Sequence, residues 1–381
     1  MKLLALFRSI LTRIERNNNS IFKCPVEKQE QYINSFRTPK DDIERSYYQY
    51  RCQMQFNKKI IVFGMNIVSL PFLLFYYFKK SNKIGSDGKA EAVFFPDGKP
   101  ENIIPDKLKK EYSTWRSIKN KKENLSVDDK KYFREIVKRY PFSWQFLLKC
   151  LIKIRFYSYE IFMYHPKAIV VCNEYSFTSS ILTKYCEERG IEHINVMHGE
   201  KLFYIRDSFF RFHRCYAWND QYVQLFKLLR ADEEQFKIAV PNSIKFINGL
   251  NSQKIIDYTY YLGGEEGKVL DKLMELLNQL AIKGNVVSLR PHPRYSNIEK
   301  IKSYSGKFQV EDTDNISIEQ SVLRTRYAIS MYSTVLNQAY HNGTGVVIDD
   351  ITQPDIYKKL IELKYIMLET PHKTLSDILG G

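Results

Sequence analysis

Residues 286–297 read VVSLRPHPRYSN, an apolar run that breaks at once into Arg290-Pro291-His292-Pro293-Arg294. An imidazole flanked by two guanidinium groups suits a phosphate, and prolines with a fixed φ hold its approach. The bland alternative is a histidine that satisfies only a local hydrogen bond. Three other polar groups also follow apolar runs in this half of the chain. Gly263-Gly264 come after YTYYL, where glycine lets backbone approach a ligand. Glu319, in DTDNISIEQSVL, could accept hydrogen bonds from a ribose diol, or could only open a helix that Asn315 or Ser317 caps. Ser333-Thr334, in AISMYSTVLNQAY, offer hydroxyls and free N–H groups at a helix start, an anion cradle unless they simply cap. The first half offers Asn173-Glu174 after AIVVC and His198-Gly199-Glu200 after INVM. Glu174 or His198 is the candidate general base for deprotonating an acceptor hydroxyl.

Strands must place these groups. From residue 90 onward, short apolar runs alternate with amphipathic stretches of about ten residues or more, as βαβ units do. The expected fold class is α/β, with two Rossmann-like domains facing a cleft. Residues 1–88 are expected to be a helical, membrane-facing segment. Residues 89–235 form the acceptor-side domain, and 236–381 bind the donor. In open parallel sheets ligands bind outside the carboxyl ends of the strands, where every residue named above falls. The acidic pairs in VDDKK at 127 and DDIT at 349 read as solvated carboxylates, so no metal is expected. Walker, GxGxxG and GxSxG patterns are absent from the sequence.

The 381 residues carry a net charge of +15. That balance favours an anionic partner. With no nucleic-acid motif present, an acidic membrane face or a phosphorylated substrate is expected rather than nucleic acid. The six cysteines form no CxxC pair and fit a reducing compartment, with Cys150 and Cys172 as buried thiols. MKLLALFRSILTRIERNNNS has helical apolar spacing with basic flanks, which fits either a packed or an interfacial helix. Residues 60–78 are apolar between paired lysines and just reach spanning length. Asn66, Ser69 and Pro71 favour a surface-lying, re-entrant or core helix over a span.

The spacing of His292-Pro293 and Ser333-Thr334, with Glu319 between them, resembles bacterial GT-B-type glycosyltransferases, in particular the sialyltransferases and polysialyltransferases. The resemblance covers roughly 255–350. It implies a CMP-activated acidic sugar such as CMP-sialic acid as donor substrate, with no separate cofactor. Gly263, Arg290, His292, Pro293, Glu319, Ser333 and Thr334 would contact the donor, and Glu174, His198 and His292 would be catalytic. It further implies a glycan or glycolipid acceptor, bacterial capsule or other surface polysaccharide as product, and a peripheral or monotopic place on the cytoplasmic face of the plasma membrane. The acidic Asp/Glu-Asp-Gly motif of these families has no clean copy here; Asp97-Gly98 match it in part, and Glu174 lacks the glycine. His198-Gly199 and SMYSTV also look similar to teichoic-acid glycerophosphotransferases that use CDP-glycerol. A UDP-sugar transferase, a hydrolase or epimerase on the same fold, and a non-catalytic scaffold of polymer assembly are the remaining readings.

Overall fold

The computed structural model describes residues 21–22, 24–83, 85, 88–95, 100–118, 122–246, 253–293, 295–304 and 308–380. The basic N-terminal stretch 1–20, Asp97-Gly98 and Arg294 lie outside them. The chain divides into two compact units, 1–198 with 203–239, and 199–202 with 240–381. Each carries one parallel six-stranded sheet.

In the first unit the strands are β1 (Ala92–Phe94), β2 (Trp115–Ser117), β3 (Ala168–Val171), β4 (Glu192–Val196), β5 (Arg214–Ala217) and β6 (Phe236–Ile238), in the order β2-β1-β3-β4-β5-β6. The AIVV of β3 is buried at all four positions, as a central parallel strand with both faces covered must be. The edge strands β2 and β6 each show two exposed residues of three. Helices α1 (Val26–Asn34), α2 (Asp42–Met54) and α3 (Lys59–Phe78) precede the sheet. Helices α4 (Val127–Arg139), α5 (Trp144–Tyr164), α6 (Ser179–Glu187) and α7 (Asp220–Leu228) cover it.

Helix α5 is the spine of this unit, and its polar residues are buried with partners. Arg155, fully buried, donates to Glu123 Oε2 at 3.3 Å and to the carbonyls of Tyr76 (3.0 Å) and Lys80 (3.4 Å), so it closes the last turn of α3. Asp129, in the 127–130 stretch expected to be solvated, is fully buried instead. One oxygen completes a capping box with Ser126 at the start of α4 and accepts from Ser158 Oγ at 2.6 Å. The other accepts from Tyr185 Oη (2.6 Å) and Arg189 (3.1 Å). Four donors compensate its desolvation. Cys150 is buried as expected, whereas Cys172 is half-exposed just past β3.

In the second unit the strands are β7 (Ile256–Tyr261), β8 (Val287–Arg290), β9 (Gln309–Val310), β10 (Thr325–Ser330), β11 (Gly345–Ile348) and β12 (Lys373–Thr374), in the order β12-β11-β10-β7-β8-β9. Counted along the unit, this is the doubly wound 3-2-1-4-5-6 arrangement read from its other edge. Helices α8 (Gly267–Ile282), α9 (Ile298–Lys302), α10 (Ile318–Leu323), α11 (Thr334–His341) and α12 (Pro354–Glu362) make the crossovers. Leu270, Leu273, Leu277 and Leu280 of α8 form one stripe, which packs on Tyr260, Leu289 and Ile329 of the central strands.

Replacing Arg155 with alanine removes a buried cation from Glu123 and a donor from the Tyr76 and Lys80 carbonyls. We expect a loss of about 3 kcal/mol in urea unfolding, within the range for broken buried pairs. Burial also pushes the Glu160 carboxyl of α5 from 4.5 up to about 7, against the opposing pull of Lys122. The folded state therefore holds that proton more tightly. Its contribution is full below about pH 4.5 and is lost as pH rises through about 7. Thermal midpoints should fall across that window, and Glu160→Gln should flatten the fall.

Candidate functional site

The strand order sets where ligands can bind. Strand β7 lies between β8 and β10, so the loops after β7 and β10 leave the sheet in opposite directions, the place at which open parallel sheets bind ligands. Register pairs Tyr261 with Arg290 and Tyr260 with Ile329, and Ser330 Oγ donates to the Tyr261 carbonyl at 2.9 Å. The groups that follow these strands are thereby fixed along one edge.

After β7, the N–H groups of Gly263 and Gly264 both donate to Glu265 Oε2, at 2.8 and 3.0 Å. Gly264 has φ +135, and a Cβ on it would lie 3.2 Å from Tyr295 Cβ. This position therefore requires glycine on two counts. Tyr295 stacks on His292, with ring centroids 4.5 Å apart and 29° between planes. The His292 N–H donates to Ser296 Oγ at 2.8 Å, and Ser296 N–H returns to the His292 carbonyl at 3.2 Å. Pro293 is an exposed turn residue. The loops after β7 and β8 thus meet, bringing Gly263, Gly264, His292 and Tyr295 together.

Arg290 turns elsewhere. Its guanidinium donates to Glu311 Oε2 at 2.8 Å and to the Ile316 carbonyl at 2.9 Å, and only 8% of the residue is exposed. The other Glu311 oxygen accepts from Arg324 at 2.6 Å. One buried carboxylate thus ties the end of β8 to both ends of the segment that carries α10. Sequence reasoning did not single out Glu311; its closeness to Arg290 comes from strand pairing. Glu319, the second residue of α10, is half-buried. Helix α10 is capped by Ser317 and Gln320 in a reciprocal box, so Glu319 is not needed for the cap. Among the described residues its carboxylate accepts no hydrogen bond.

After β10, Ser333 caps α11, its Oγ accepting from Val335 N–H at 3.3 Å, and Thr334 is the first helical residue. Asn337, one turn on and buried, donates from Nδ2 to Glu200 Oε2. Tyr332 Oη donates to the Glu200 carbonyl at 3.4 Å. Glu200 belongs to the short 199–202 segment counted with this unit, so a residue distant in sequence sits beside the Ser333-Thr334 helix start. Asp349 closes β11. It was expected to be solvated but is fully buried, accepting from Tyr260 Oη (2.7 Å) and from the N–H groups of Ile351 and Thr352. Burial raises its carboxyl above the usual range, although these bonds oppose the rise.

In the first unit, Glu174 follows β3 and is 1% exposed. Its Oε2 accepts from Asn195 Nδ2 at 3.2 Å, and its carbonyl accepts from Gln49 at 2.9 Å. His198 follows β4 and is exposed, directly before Gly199 at φ +73. The two candidates for a base therefore have opposite accessibility. The described residues contain no cluster of three or more His, Cys, Asp or Glu able to hold a metal ion.

No protein-family model and no curated protein matches the chain. Solved structures do. A structure of the wall teichoic acid polymerase TagF is 15% identical over 87% of this chain and 87% of its own, with a TM-score of 0.42. A TagF variant soaked with CDPG is 14% identical over 81% and 80%, with a TM-score of 0.36. HepE of Anabaena, in complex with UDP and glucose, is 10% identical over 68% and 80%, with a TM-score of 0.36.

The contrast between Glu311 and Glu319 is measurable. Glu311→Ala leaves Arg290 and Arg324 without their carboxylate and should cost about 3–5 kcal/mol in urea unfolding. Glu319→Ala should change stability by no more than about 0.5 kcal/mol.

Proposed function

We propose that this chain is a metal-independent, inverting glycosyltransferase of GT-B type that takes a cytidine-nucleotide donor, a CMP-activated acidic sugar such as CMP-sialic acid. It would serve bacterial surface polysaccharide synthesis with a glycan or glycolipid acceptor. The observation that carries this reading is the strand order, which sets Gly263-Gly264, His292 and the Ser333-Thr334 helix start at one carboxyl edge, after β7, β8 and β10. An imidazole and a helix start can present donors there, and donors would neutralise the charge that develops on a departing phosphate.

In the proposed reaction an acceptor hydroxyl oxygen attacks the anomeric carbon as the bond from that carbon to the CMP phosphate oxygen breaks. The bonding electrons leave with CMP, and the hydroxyl proton goes to the base. His292, Ser333 and Thr334 take the phosphate. Glu319, whose carboxylate the fold does not need, takes the ribose hydroxyls. Pro293 fixes the turn, and Arg290 acts through Glu311 as a positioning residue. Exposure favours His198 over the buried Glu174 as the base.

A different observation favours a second reading. An exposed His-Gly past β4 fits the likeness to glycerophosphotransferases, so CDP-glycerol is the rival donor.

CMP should raise the thermal midpoint of the wild-type chain. His292→Ala should weaken CMP roughly 10- to 100-fold, the loss of one charge-assisted hydrogen bond. Glu319→Ala should weaken CMP but not the deoxyribose form. Nucleotide release from CMP-sialic acid, CDP-glycerol and a UDP-sugar then decides the donor. Turnover of the UDP-sugar alone would overturn the cytidine assignment, and no nucleotide binding at all would favour a scaffold.

A further inference from the structure

Helix α3 packs by one stripe and leaves another bare. Met65, Ser69, Leu73 and Tyr76 recur at helical spacing and are buried, and α5 is the helix they pack against. The opposite stripe holds Ile60 (77% exposed), Phe63 (66%), Ile67, Leu74, Phe75 and Phe78 (75%). Pro71 lies on this outward side. The stripe runs about 27 Å without a charge. Single exposed apolar residues are ordinary, but an unbroken stripe of this length marks a contact surface.

The polar residues of α3 explain its pose. Asn66 donates to the Phe142 carbonyl at 2.7 Å and accepts from the Gln145 N–H in the first turn of α5 at 3.1 Å. Ser69 Oγ returns to the Met65 carbonyl at 2.7 Å. At the other end Arg155 holds the Tyr76 carbonyl, and Lys79 pairs with Glu123 at 2.7 Å. The helix is thus fastened at Asn66, in its first half, and at its C-terminal end along α5, whose buried face includes Gln145, Arg155, Ser158 and Glu160. A helix bound along its length to a core with such polar residues cannot cross a bilayer perpendicularly.

We propose that α3 is an in-plane membrane contact, its bare stripe entering the boundary between headgroups and acyl chains of an anionic bilayer. Charge complementarity selects this occupant. Lys58 and Lys59 at one end, and Lys80 and Lys83 at the other, are exposed where lipid phosphates would lie. Net charge +15 and the same lysines at both rims disfavour a second copy of the chain on this face. The inference rests on α3 and α5 alone and is independent of the donor assignment.

The test is co-sedimentation of the full chain with phosphatidylcholine vesicles, with and without phosphatidylglycerol. The wild type should bind the anionic vesicles and be released by salt. Phe63→Asp with Leu74→Asp should lower binding roughly tenfold or more at an unchanged thermal midpoint. Lys58→Glu with Lys59→Glu should remove the preference for phosphatidylglycerol. Ile67→Trp and Phe75→Trp should be quenched equally by lipids brominated near the headgroup. The proposal fails if the wild type ignores anionic vesicles, or if the aspartate pair leaves binding intact. It also fails if the two tryptophans report widely different depths, or if the aspartate pair merely turns a dimer into a monomer.

Discussion

The position of β7 between β8 and β10 is the constraint on which the second unit depends. Parallel strands need right-handed crossovers. A chain that winds one way to β8 and β9, then back past β7 to β10 and β11, must put its helices on opposite faces. The loops after β7 and β10 then diverge at the carboxyl edge. Glycines at 263 and 264, the proline-braced His292 and the Ser333 cap are local solutions to leaving a strand at that edge.

Carboxylates collect on the donors of that edge. Glu265 sits on two backbone N–H groups, Glu311 between two guanidinium groups, and Glu200 on the amide of Asn337. Helix starts and strand ends leave N–H groups without intrachain partners.

The parts of the fold legible in sequence are those where burial writes a plain pattern. The AIVV of β3 and the apolar cores of β7, β8, β10 and β11 read as strands because both faces are covered. The edge strands β2, β6 and β12 did not, because three or fewer residues with one wet face carry too little pattern. The candidate donor-side residues stand out in sequence because they follow strong strands. Glu311, Asp129 and Asp349 carry no sign of burial in sequence, since the donors that make a carboxylate's burial tolerable come from other elements. Tyr185 and Arg189 reach Asp129 from some sixty residues away, and Tyr260 reaches Asp349 across the sheet. Asn66 and Ser69 spoiled an apolar helix in sequence, and in the fold they bind it to α5 or back to its own backbone.

The short segment 199–202 is counted with the unit that follows it, although His198 and Phe203 are counted with the unit before. The border at 239 and 240 is therefore not a clean seam for dissection. A fragment begun at residue 240 would lack Glu200 and leave the buried Asn337 amide without the carboxylate it serves. Grafting the second unit onto another scaffold would have to carry a four-residue loop from the middle of the first, so the two halves of this chain are not interchangeable parts.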